Sequence, residues 1–128
     1  MPVTFELQEN GWLMYFKIAD PWKMIDLVTY YKQTEAIFDS ATHSVHSLVD
    51  VQHARQLPAG VLSVRHVKTW HHPRSGQTAI IGASPLARSM LETIFQLARF
   101  NRARFFVNEA DARQYLLGLI NLEAHSNH

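Results

Sequence analysis

The sequence predicts an α/β protein with a single mixed, mostly parallel five-stranded sheet and four helices, in the order β-β-α-β-α-β-α-β-α. Two observations lead to this prediction. After an opening hairpin, short apolar segments alternate with longer segments of helical periodicity, which is typical of parallel strands joined by helical crossovers. In addition, two of the helical segments begin with a capping residue followed by proline, the signature of a helix start.

The first two strands form a predicted hairpin. Apolar and polar residues alternate from Val3 to Gln8, as in a strand with one buried and one wet face. Asn10-Gly11 supplies the two positive-φ positions of a tight turn. Trp12 to Ile18 is apolar on both faces, so we expect the second strand to lie inside the sheet.

The next segments alternate between helix and strand. Asp20-Pro21 predicts the start of a helix that runs to about Ser40, because the carboxylate can cap free N–H groups and proline fits the first helical position. Val45 to Val51 is predicted to be a buried parallel strand. A second helix is predicted from Val61 to near the His71-His72-Pro73 stop.

The last four elements repeat the same devices. Thr78 to Ala83 is a predicted buried strand, and Ser84-Pro85 opens a third helix with a broad apolar face. Phe105 to Val107 is the predicted fifth strand. Asn108 caps a final helix, which carries acidic residues in its first turn, where negative charge favours the helix dipole.

Composition limits the class of protein. The 128 residues, 47% hydrophobic and 18% charged, suit one domain over residues 1–120 with a flexible tail at 121–128. There is no cysteine, which excludes disulfides and thiolate chemistry. A formal charge of +1 gives no field to gather nucleic acid, and no apolar run approaches membrane-spanning length. We therefore expect a cytoplasmic protein without nucleic-acid binding or membrane insertion.

Three stretches carry a resemblance to a known family. They are VHSLVDV followed by QLPAGVL, TAIIGASPLAR leading into LETIFQLARF, and the closing RFFVNEADARQYL. In pattern and order they resemble the STAS-type domain, in particular the SpoIIAA-like branch of anti-sigma-factor antagonists, which are small stand-alone bacterial proteins. The resemblance spans nearly the whole chain and implies a noncatalytic regulatory module that acts by protein-protein contact, as a homodimer, with a kinase or sigma-factor regulator as partner.

The phosphorylation switch of that family is missing from its expected place. In the antagonists an Asp-Ser-Ser-Gly-like motif opens the second helix, and a partner kinase phosphorylates its serine. Here Pro58 and Ala59 stand where the hydroxyls should be, and only Gly60 is kept. The resemblance still implies a recognition surface at this loop, formed by Gln52, His53, Arg55, Pro58, Ala59 and Gly60.

Other candidate chemistry is weak in the sequence. Asp50, at the end of a strand, is expected to accept backbone N–H bonds, since no third group is present to complete a catalytic set. The histidines lack a recognised metal-ligand spacing. Ser84 is expected to cap a helix, and with Arg88 it could contact an anion. We predict no catalytic residues, metal or cofactor, and no enzymatic activity.

An alternative function is a carrier or sensor of a small apolar ligand or lipid. Six aromatic side chains could line a pocket between the sheet and its helices. They are Trp12, Trp22, Trp70, Tyr15, Tyr30 and Tyr31. The right-handed crossover rule also predicts most helices on one face of the sheet. The other face, with either Leu13 and Tyr15 or Trp12 and Met14, would then need a partner.

Overall fold

A five-stranded mixed sheet organises the computed structural model, which describes residues 2–126. The strands are β1 (Val3–Gln8), β2 (Leu13–Ala19), β3 (Val45–His53), β4 (Ser75–Ile81) and β5 (Ala103–Phe106). They lie side by side in chain order, with β1 antiparallel to β2 and the other pairs parallel. The four α-helices of the described range are α1 (Met24–Val28), α2 (Tyr31–Ser40), α3 (Pro85–Ala98) and α4 (Glu109–Ser126). The predicted fold class is therefore confirmed.

The hairpin forms where the sequence predicts it. Asn10 and Gly11 have φ angles of 55° and 91°, within a short 3₁₀ turn over Glu9–Gly11. These left-handed values are the ones that Asn and Gly adopt at least cost. The turn brings Val3 opposite Ile18 and so pairs β1 with β2. Because β2 also pairs with β3 on its other side, it lies inside the sheet.

The predicted helix start at Asp20 is wrong. Its carboxylate instead accepts hydrogen bonds from the backbone N–H groups of Arg55, at 2.7 Å, and Gln56, at 3.2 Å. The first helix begins at Met24, where the Asp26 carboxylate accepts the N–H of Lys23 at 2.8 Å. The helical segment that was expected to be continuous is also divided into α1 and α2.

The predicted second helix is also absent from the described residues. Two 3₁₀ turns, Val61–His66 and Lys68–His71, take its place, after Gly60 with a φ of 84°. β-Branched valines disfavour an α-helix here. They recur every third residue, and a 3₁₀ helix has three residues per turn, so this geometry puts Val61 and Val64 on one side of the first turn, while Val67 is extended between the two turns.

One face of the sheet carries all the connections between its parallel strands, and we call it the crossover face. Residues of α1, α2, α3 and the β3–β4 connection (residues 54–74) lie over it. This arrangement follows from the strand order, because right-handed crossovers that step in one direction all lie on the same side. The buried core there includes Ile18, Val51, Ile80 and Phe95.

Helix α4 covers the opposite face, so the prediction of a partly bare face is wrong. The helix follows the edge strand β5 but returns across the sheet, where Leu116 packs with Leu13 and Leu48. Leu13 has no exposed surface as a result, and Met14, on the crossover face, is covered by Phe38.

The domain boundary predicted after residue 120 falls inside α4, which runs to Ser126. Within the expected tail, residues 121–126 are therefore part of the helix. Residues 127 and 128 lie outside the described residues.

The buried ring of His46, on the face covered by α4, explains why residue 76 is a glycine. His46 is 5% exposed, and its Nδ1 accepts the backbone N–H of Gln77 at 2.9 Å. Its Nε2 has no partner among the described residues. A Cβ at Gly76 would lie 2.5 Å from Nδ1 of this ring. Only glycine therefore fits beside the imidazole without displacement of one of the two.

Substitution Gly76→Ala should destabilise the fold by about 1–3 kcal/mol, because the methyl group overlaps a ring that cannot move freely. Chemical denaturation measures the change. Gly118→Ala is the matched control: no atom lies within 4 Å of its Cβ position in α4, so we expect a gain of about 0.5–1 kcal/mol. Equal effects of the two substitutions would contradict the steric account.

Stability should fall in acid because of His46. Burial lowers the pKa of this imidazole below its ordinary 6.5, while the carboxylate of Glu123 opposes and the ring of His43 adds to the shift. The folded protein therefore binds fewer protons than the unfolded chain. The contribution is complete above pH 6.5 and is lost as pH falls from there through the folded pKa.

Thermal unfolding of the wild type and of His46→Asn at about pH 8 and about pH 5.5 measures this effect, which is limited to about 1.4 kcal/mol per pH unit per proton. The asparagine Oδ1 can accept the Gln77 N–H but does not titrate. The variant should lose less stability between the two conditions than the wild type. The same loss in both proteins would show that other groups cause the acid sensitivity.

Candidate functional site

The crossover face carries an apolar cavity that is partly open to solvent. The cavity has a volume of about 180 Å³ and lies between the sheet, α1, α2, α3 and the β3–β4 connection. The sheet contributes residues such as Phe16, Val49 and Ile80. Protein interiors hold few voids larger than a water molecule, so a space of this size in a small domain is unusual. An engineered cavity of about 150 Å³ lined by apolar side chains binds benzene.

The β3–β4 connection forms one wall of this cavity. Val61, Val64, Val67 and Trp70 all line it, at a spacing of three residues. Within the first 3₁₀ turn this spacing places Val61 and Val64 on the same side, and the extended Val67 connects them to the second turn, which carries Trp70. Neither 3₁₀ turn contains a buried residue, in contrast to α3, which has four. The wall therefore contacts the core less closely than a packed helix would.

Hydrogen bonds fix the backbone of the connection, both to the rest of the fold and within the connection itself. The Asp20 carboxylate accepts two backbone N–H groups from its first residues. The indole N–H of Trp22 donates to the carbonyl of Gln56 at 3.0 Å, and that of Trp70 donates to the carbonyl of Val64 at 2.7 Å. Each tryptophan thus fixes backbone with its polar end while its ring lines the cavity.

The aromatic residues that were expected to form a pocket separate into two groups. Trp22, Trp70, Tyr30 and Tyr31 line the cavity, and the hydroxyl of Tyr30 donates to the carbonyl of Val3 at 3.1 Å. Burial raises the pKa of Tyr31, which keeps its hydroxyl neutral.

Trp12 and Tyr15 instead lie on the face covered by α4. Trp12 stacks on the ring of His43 with 3.7 Å between ring centroids. Burial, with a smaller contribution from the carboxylate of Glu109, raises the pKa of Tyr15 to about 12. The Tyr15 hydroxyl donates to that carboxylate at 3.3 Å.

Hydroxyl groups provide the polar surface of the cavity. Ser47 and Thr78 face it from β3 and β4, where they are directly paired across the two strands. Neither hydroxyl forms a hydrogen bond within the described part of the chain, whereas the Thr34 hydroxyl donates to the carbonyl of Tyr31 at 2.9 Å. None of the described lining residues is Asp, Glu, Lys, Arg or His.

The loop predicted to recognise a partner is at the surface beside this cavity. Gln52, His53, Arg55, Ala59 and Gly60 are exposed, and Pro58 is half-buried. Ala54 and Leu57, which alternate with them, line the cavity instead. The same short stretch therefore has one side on the solvent and the other on the interior space. The role in partner recognition stays a prediction.

Local hydrogen bonds confirm the predicted structural roles of Asp50 and Ser84. The Asp50 carboxylate accepts the backbone N–H of Gln52 at 3.0 Å, as expected for an aspartate at a strand end. The Ser84 hydroxyl accepts the N–H of Ala87 at 3.2 Å and so caps α3. Arg88 pairs with Glu92 at 2.9 Å. Contact of an anion with Ser84 and Arg88 stays a prediction.

Comparisons with known proteins give no relative. No protein-family model, no curated protein and no solved structure matches the chain. Among residues 2–126, no group of three or more His, Asp or Glu side chains could hold a metal ion. No helix in that range is long and apolar enough to cross a membrane.

Removal of the Asp20 carboxylate should loosen the β3–β4 connection. We expect Asp20→Ala to lower stability by about 1–2 kcal/mol, because two backbone N–H groups lose a charged acceptor that is partly exposed to water. Hydrogen exchange should accelerate at Arg55 and Gln56.

Asp26→Ala is the matched control, since this carboxylate accepts a backbone N–H at the start of α1 instead. It should accelerate exchange at Lys23 and leave the connection protected. Unchanged exchange at residues 55 and 56 in Asp20→Ala would argue against the proposed tether.

Proposed function

We propose that this protein binds a small, mainly apolar molecule in the cavity on its crossover face and acts as a carrier or sensor of that molecule. The observation that carries the proposal is the cavity itself, about 180 Å³ and lined mostly by apolar side chains. Empty space of this kind costs stability, because its lining loses packing contacts that a filled core would have. A ligand would restore those contacts.

The size of the space limits the ligand. A volume close to that of a benzene-binding cavity suits a molecule with one ring or a short chain. A lipid with two acyl chains is too large for it. The sequence left open either a small apolar ligand or a lipid. We therefore propose the small apolar molecule.

A protein partner is the second part of the proposal. Residues 52–60 carry exposed side chains on the outside, while Ala54 and Leu57 line the cavity from the same stretch. A ligand in contact with Leu57 could therefore alter the surface formed by Gln52, His53 and Arg55. The resemblance to STAS-type domains supports a protein partner at this loop, without catalysis.

Binding can be tested with toluene and indole as probes. Each should raise the melting temperature in a concentration-dependent way, because a ligand that binds only the folded state stabilises it by mass action. Native mass spectrometry of the protein as purified would detect a ligand that is already bound. A melting temperature that neither probe changes would contradict the proposal.

Two adjacent residues on β3 give a matched pair of variants. Val49 lines the cavity, whereas Leu48 points to the opposite face and has no exposed surface. Val49→Phe should fill part of the cavity and abolish probe binding while the fold remains stable. Leu48→Phe has no space to fill, so it should cost about 1–3 kcal/mol. Probe binding that survives Val49→Phe would place the ligand elsewhere.

A further inference from the structure

The hydroxyls of Ser47 and Thr78 form a pair on the sheet side of the cavity. The two residues are register partners on β3 and β4, and neighbouring strands lie about 4.8 Å apart, so one ligand group can reach both hydroxyls. Both strands are otherwise mainly apolar around them, with Val49 and Ile80 as the next residues on the same face.

These two hydroxyls have no partner in the described protein. Among the side chains that the structure describes, only His46 Nε2 is a fully buried polar atom without a hydrogen bond. The oxygens of Ser47 and Thr78, two residues that line the cavity, therefore keep some accessible surface. Thr78 is nevertheless only 7% exposed as a residue. Buried polar groups are normally hydrogen-bonded, and here a bound molecule or water must provide the bond.

The hydroxyls lie towards one end of the cavity. Ser75 opens the same strand as Thr78 and also lines the space, as does Thr69 from the second 3₁₀ turn. Val51, near the other end of β3, and Ala54, just after that strand, are apolar lining residues. The side chains that β3 and β4 contribute to the cavity are thus polar near the start of the strands and apolar near their ends.

Charge is the second determinant of the ligand. The described lining offers no acidic or basic side chain apart from its two tyrosines. Burial of an ionised group without a charged partner or several hydrogen bonds is very unfavourable. Serine and threonine hydroxyls both donate and accept, so they can satisfy either a carbonyl or a hydroxyl group.

We propose that the ligand is an uncharged molecule with one ring or a short chain, whose single hydroxyl or carbonyl group bonds to Ser47 and Thr78. This inference rests on the proposed function and specifies the class of molecule that it takes. Its apolar part lies beneath the β3–β4 connection, in contact with residues such as Val61 and Trp22.

Calorimetry with phenol and toluene tests the hydroxyl pair. These probes have nearly the same shape, but only phenol can hydrogen-bond through a hydroxyl. In Ser47→Ala and Thr78→Val the affinity for phenol should fall about two- to tenfold per hydroxyl, while that for toluene stays the same or rises. Thr4→Val, on the exposed side of β1, is the matched control and should change neither affinity.

The outcomes separate this inference from the proposed function. If toluene binds and the two variants weaken phenol and toluene equally, or change neither, the hydroxyl pair is not the anchor, although the cavity still binds ligand. If neither probe binds the wild type, both proposals fail. Benzamide should bind at least tenfold tighter than benzoate near neutral pH, and equal affinities would overturn the requirement for an uncharged ligand.

Discussion

The structure depends on one constraint, the single direction in which its parallel strands are added. Strands β2 to β5 follow each other in space as in sequence, so right-handed connections all lie on one face. Three connections must cover that face, and α4 alone must cover the other. Helix α4 covers this other face with Ala112, Leu116 and Ile120, which pack against the centre of the sheet.

The cavity follows from the way in which the middle connection meets this constraint. Helices α2 and α3 pack Phe38, Ile94 and Phe95 into the core. The β3–β4 connection consists of 3₁₀ turns, whose poorer hydrogen-bond geometry keeps such segments short. It spans the gap between its neighbours but fills it incompletely. The indole N–H of Trp22 donates to its first residues and the Asp20 carboxylate accepts from them, which holds this segment in place.

Much of the fold could be predicted because its signals are local. Alternation of apolar segments, the Asn10-Gly11 turn and the Ser84 cap each determine structure within a few residues. Asp20 misled the prediction because its partners lie at residues 55 and 56, far along the chain. A period of three at Val61, Val64 and Val67 was readable as 3₁₀ structure, but the apolar residues nearby resembled a helical stripe.

The site was predictable only in part. Trp22, Trp70, Tyr30 and Tyr31 were among the aromatic residues expected around a pocket, although Trp12 and Tyr15 lie on the opposite face. The pairing of Ser47 with Thr78 was missed, since it depends on strand register, which a single sequence does not give. Hydroxyl residues inside apolar strands were the available signal.

The β3–β4 connection has a consequence for how such a protein could diversify. Its 3₁₀ turns add no strand to the sheet, and their valines do not set the register of β3 and β4. Side chains in this segment can therefore change in size over evolutionary time while the scaffold is preserved. Descendants of one ancestral domain could acquire different ligand preferences through a few substitutions in this wall, with the sheet, α3 and α4 inherited intact.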